Sequence, residues 1–68
     1  MTKATYELQP TDVFRHPNGK YYQVNSVEHA YRDTYKVYAT DRNNRKTHFI
    51  VDVHTTFDMV MTYSKVGA

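Results

Sequence analysis

Two runs decide the reading of this chain: Tyr35-Lys36-Val37-Tyr38-Ala39-Thr40-Asp41 and Thr47-His48-Phe49-Ile50-Val51-Asp52-Val53-His54. In the first, Tyr35, Val37 and Ala39 alternate with Lys36, Tyr38 and Thr40. In the second, Phe49, Val51 and Val53 alternate with His48, Ile50, Asp52 and His54. Successive side chains of a strand point to opposite faces, so each run reads as a strand with one apolar face. The polar stretch Arg42-Asn43-Asn44-Arg45-Lys46 between them reads as a turn, and the whole as a hairpin.

Working outward, His16-Pro17-Asn18-Gly19 is a second turn signal, because Pro fixes φ and Asn-Gly tolerates positive φ. A two-residue Asn-Gly turn would join a strand at Asp12–Arg15 to one at Lys20–Glu28. In the latter, Val27 falls out of step with Tyr22 and Val24, so a bulge is expected near Asn25-Ser26. The polar stretch from Glu28 to Thr34 reads as a loop, and Ala4–Leu8 as extended up to Pro10. Phe57, Val60 and Met61 fit helical spacing, and Phe57, Met59, Met61 and Tyr63 fit a strand equally well. With strands as neighbours and a stretch short for a helix, the expectation is a strand from about Asp58 to Tyr63, entered by one helical turn.

The chain has 68 residues, no cysteine and no tryptophan, and seven of its ten aromatics are tyrosine. That size is one domain, residues 1–68, without disulfide staples or thiol chemistry. Leu8 is its only leucine, whereas Val, Thr and Tyr abound, which favours strands over a helical bundle. The expected fold class is mainly β: a small antiparallel barrel or strongly bent sheet of four or five strands, with at most one short helical turn. Its expected core is Val13, Tyr22, Val24, Val27, Val37, Ala39, Phe49, Val51, Val53 and Met59, which places Phe14 on the outside. No run is long enough for a membrane helix and the start lacks an apolar segment, so the expected location is cytoplasmic, away from membranes.

Leu8-Gln9-Pro10-Thr11-Asp12-Val13-Phe14, followed by Pro17-Asn18-Gly19-Lys20-Tyr21-Tyr22-Gln23-Val24-Asn25-Ser26-Val27-Glu28, resembles the opening of SH3-like barrels, such as the amino-terminal barrel of bacterial elongation factor P. There a Gly-Asp pair precedes the first barrel strand; here Thr11 stands where that glycine would be. The resemblance covers about a third of the chain and implies a fold, not a function. In size and style the chain is also similar to small barrel proteins encoded by bacteriophages.

The chemistry-bearing residues point to binding rather than catalysis. No nucleophile elbow and no Gly-rich phosphate loop is present. His48, Asp52 and His54 on one strand face, with His16 or His29, are metal-ligand types, but a polar outer sheet face is the plainer explanation. Structural zinc in so small a domain usually brings Cys-x-x-Cys pairs, so no metal or cofactor is expected. Phe14, Tyr21, Tyr38 and Ile50 on the outer face mark a protein-docking surface for a partner or a second copy, as in a phage-encoded modulator of a host protein. The alternative is a small nucleic-acid-binding barrel using Tyr21, Lys36, Tyr38, Arg42, Arg45 and Lys46, with tyrosines stacking on unpaired bases and cations meeting phosphates. The net charge of +2 favours neither strongly.

Overall fold

The structure is a computed structural model that describes residues 1–60. Six strands form one open antiparallel sheet: β1 (Thr2–Ala4), β2 (Val13–Arg15), β3 (Tyr21–Tyr31), β4 (Thr34–Asp41), β5 (Lys46–Asp52) and β6 (Thr56–Met59). Their order is β1-β6-β2-β3-β4-β5. The mainly β class matches the alternation in the sequence, with six strands rather than four or five. The extra one is β1, whose three residues are too few to show a period; it pairs with β6, Lys3 facing Phe57. The single helical element among the described residues is a 3-10 turn at Thr5–Glu7, not an entry to the last strand. No helix among them is long and apolar enough to cross a membrane.

Two hairpin loops share one hydrogen-bond pattern. Between β2 and β3, Gly19 N–H donates to the His16 carbonyl and His16 N–H to the Lys20 carbonyl, both at 2.8 Å. Between β4 and β5, Asn44 N–H donates to the Asp41 carbonyl and Asp41 N–H to the Arg45 carbonyl, both at 3.0 Å. Each is a three-residue loop whose last residue is left-handed: Gly19 at φ 88° and Asn44 at φ 65°. The Asn18-Gly19 signal therefore marks a longer loop than the expected two-residue turn.

The third hairpin corrects the expected loop at Glu28–Thr34. β3 runs on to Tyr31, which pairs with Thr34 across Arg32-Asp33. Residues 28–31 are all exposed, so no buried face imposed a period on them. Arg32, at φ 50°, does what the usual glycine or asparagine would do, leaving no turn signature. The expected bulge is present: the register slips between Val24 and Ser26, and Val27 returns to face Val37.

Phe14 is the centre of the core, fully buried, which corrects its assignment to the outer face. Its ring centroid lies 4.8 Å from Phe57, 5.7 Å from Tyr22 and 5.9 Å from Phe49. Val13, facing the opposite way, is also buried. A three-residue strand with two adjacent apolar residues carries no internal evidence of which one points in. Flat strands sit roughly 4.8 Å apart, so β2 and β5, three steps apart in the sheet, would be separated by about 14 Å. The Phe14–Phe49 contact is met only because the sheet curls strongly. Leu8 and Phe57 join the core unforeseen, while Val27, Phe49, Val51 and Met59 pack partly buried against it and Val53 is half-buried.

The curl is latched by Thr5, the one buried polar residue among those described. Its N–H donates to the Thr55 carbonyl at 2.9 Å, and its hydroxyl lies 2.9 Å from the Asp52 carbonyl. The chain start is thereby tied to the β5–β6 connection, 47 residues away at Asp52. β6 begins at Thr56, two residues before the expected start; the remainder of the strand expected to reach Tyr63 lies outside the described residues beyond Val60.

Before β2 the chain turns through Gln9-Pro10-Thr11-Asp12, closed by Asp12 N–H donating to the Gln9 carbonyl at 3.1 Å. Thr11 has φ 78°, a region that suits glycine and strains a β-branched residue. It is held there by its N–H bond to the Val24 carbonyl and by Val24 N–H donating to the Asp12 carbonyl. Left-handed strain of about 1–2 kcal/mol outweighs the roughly 0.5–1 kcal/mol entropy cost of glycine. Thr11→Gly should therefore stabilise the fold by about 0.5–1 kcal/mol, read as a higher urea midpoint at unchanged slope. Phe14→Ala should cost about 3–5 kcal/mol, enough to unfold so small a domain and visible as lost amide dispersion.

Candidate functional site

The register of β3, β4 and β5 places three rows across their outer face. Glu28, Lys36 and Ile50 form one; Ser26, Tyr38 and His48 the next; Gln23, Thr40 and Lys46 the third. Tyr38 is half-buried, its ring tilted against His48 at 5.9 Å. Its hydroxyl donates to Glu28 Oε1 at 3.0 Å. Ile50 is 57% exposed. Tyr21 shares this face but lies five residues along β3 from Ser26, at the loop end. With Phe14 in the core, the expected protein-docking set Phe14, Tyr21, Tyr38 and Ile50 is not one patch. What remains of it is Ile50 and Tyr38 near one another, and Tyr21 apart.

Tyr21 instead lies in a cleft of about 460 Å³ between the two three-residue loops, lined by Gly19, Lys20, Tyr21, Asp41, Arg42 and Asn43. The β3–β4 register, with Tyr22 facing Asp41, brings the two loops side by side. Both walls are internally braced. Lys20 N–H donates to Asn18 Oδ1 at 2.8 Å, and Asp41 Oδ1 accepts from the N–H groups of Asn43 (2.8 Å) and Arg45 (2.9 Å). Arg15, across from Tyr21 on β2, adds a further cation beside it.

Acids and bases are used differently. Glu7, Asp12, Glu28, Asp41 and Asp52 each accept a hydrogen bond that holds a turn or a neighbouring side chain. Lys3 pairs with Asp12 at 3.0 Å, but Lys20, Lys36, Arg42, Arg45 and Lys46 make no ion pair with another described residue. Of the nucleic-acid set expected from sequence, Tyr21 and Arg42 meet in the cleft, Lys36, Tyr38 and Lys46 share the adjoining face, and Arg45 sits in the loop between.

The histidines do not come together. β5 ends at Asp52, so His54 lies in the following turn, where its N–H donates to Asp52 Oδ1. His16 stacks on Phe49 at 5.0 Å, and His29 Nε2 donates to the Arg32 carbonyl. No three His, Asp or Glu side chains converge among the described residues.

Asn43 escaped sequence reasoning, and Lys20, a cation beside the outer aromatic residues in the sequence, stands outside the expected nucleic-acid set. Each loop is legible by itself, but their proximity depends on the β3–β4 register, which the bulge at Asn25 offsets. Tyr6 and Tyr31 are also exposed, at 66% and 65%, the latter under the Arg32 guanidinium at 5.2 Å.

The hydrogen bond to Glu28, with burial and the carboxylate's charge adding to it, raises the Tyr38 hydroxyl above its ordinary 10.0. A raised folded-state value means that this contact favours the fold below pH 10 and is lost as pH climbs through the folded value. Glu28→Gln should bring the Tyr38 titration, followed by ring-carbon NMR shifts, back toward 10. No family model, curated protein or solved structure matches the chain.

Proposed function

We propose that this chain is a non-catalytic, cytoplasmic binding module whose cleft end and outer β3–β5 face take up nucleic acid. The observation that carries this reading is the division of charge: five of the seven acids hold turns or a neighbouring side chain, while Arg15, Lys20, Lys36, Arg42, Arg45 and Lys46, around Tyr21 and Tyr38, make no ion pair with another described residue. Free cations meet phosphates, and exposed tyrosine rings stack on bases. Kinship with the SH3-like barrels belongs to the same proposal. It is supported by Thr11, which adopts positive φ at the place where those barrels carry glycine.

A protein partner, including a second copy or a host target of a phage protein, is the second reading. Ile50 favours it: a bare aliphatic side chain on the outermost strand, beside Tyr38.

Anisotropy of a labelled oligothymidylate separates the two. Nucleic-acid binding predicts affinity that falls with log salt at a slope of about −2 to −3, as for three to four phosphates neutralised on a single strand. Lys36→Glu combined with Lys46→Glu should abolish it. No binding at 20 mM salt, by either DNA or RNA, would remove the reading and leave the protein partner.

A further inference from the structure

We propose that the cleft between the β2–β3 and β4–β5 loops is a pocket for one unpaired nucleotide of a single strand, the base on the Tyr21 ring and its phosphate between Lys20 and Arg42. This rests on the nucleic-acid reading and narrows it to a ligand and a place.

Size is the first argument. About 460 Å³ falls within the roughly 300–1,000 Å³ of small-ligand sites and accommodates a base with its sugar and phosphate. Chemistry is the second. One aromatic ring, one ammonium and one guanidinium line the same space, the combination that a flat π-system bearing a phosphate requires. Asn43 adds an amide with both donor and acceptor, suited to a base edge. Asp41 is the one acid in the lining, and its Oδ1 is committed to the N–H groups of Asn43 and Arg45.

Rigidity is the third. Gly19 N–H and His16 N–H close one wall, Asn44 N–H and Asp41 N–H the other, so the walls need little ordering when a ligand enters. Tyr21, 37% exposed, presents its ring from a ladder position on β3 opposite Arg15. Its placement also sets strandedness. A base inside a duplex has both π-faces covered by its neighbours, whereas an unpaired base brings a free face to Tyr21.

The test maps amide NMR shifts of the full chain at low salt with four probes: a ten-residue oligothymidylate, thymidine monophosphate, inorganic phosphate and a duplex of the same length. The expected result is shifts at Gly19–Tyr21 and Arg42–Asn43 with the oligothymidylate, and much weaker ones with the duplex. Tyr21→Ala should weaken oligothymidylate binding about tenfold, the loss of one stacked base, with Tyr21→Phe within about twofold of the parent. Arg42→Ala should lower the salt slope by about one phosphate contact.

Shifts confined to Tyr38, His48 and Lys36 would overturn the pocket while leaving nucleic-acid binding standing. No shift with any nucleic acid would overturn both. Shifts with the monophosphate but none with the oligothymidylate would reassign the cleft to free nucleotides. Equal shifts with inorganic phosphate, or unchanged affinity in a folded Tyr21→Ala chain, would remove the stacking role.

Discussion

Everything in this fold hangs on the Phe14 ring. It comes from a strand of three residues, yet it touches aromatic rings supplied by β3, β5 and β6. A sheet laid flat would carry Phe49 out of its reach. The curl that brings them together gives a cysteine-free chain a closed core. Thr5 completes the same task with hydrogen bonds, tying the chain start to the Asp52–Thr55 connection. Once the sheet is bent this way, its outer side is fixed as well: polar and aromatic residues of β3, β4 and β5 are turned outward, and two loops meet at one end.

Strands with a single buried face were legible in the sequence. The alternation at Val37 and Ala39, and at Phe49 and Val51, places those residues as the structure does, and Val27 betrayed the bulge at Asn25. Legibility failed where burial left no periodic trace. The distal half of β3 has no buried face, and Arg32 supplies the backbone of a turn without its usual residue. Phe14 failed differently, since Val13 beside it is equally apolar and both are buried. Of the candidate site, the residue types were legible and the grouping was not. Tyr21 and Arg42 are 21 positions apart in the chain, and only the strand register makes them neighbours.

Net charge alone understates the surface. Seven acids nearly balance nine bases in the count, but most of the acids point their oxygens at backbone or hydroxyl groups that hold the fold. Bases of the loops and outer face carry no such duty among the described residues. Position therefore leaves the cations of the loops and outer face free of ion pairs with described residues, which a formal charge of +2 does not announce.

The pairing of β1 with β6 bears on how the molecule comes into being. Thr2 lies opposite Asp58, and Thr5 bonds to Thr55, so the first strand has no partner until nearly all the described chain is present. The β3–β4–β5 hairpins form from near neighbours, whereas closure around Phe14 awaits Phe57. Assembly is thus weighted toward distant contacts, which slows folding relative to helical domains of this size.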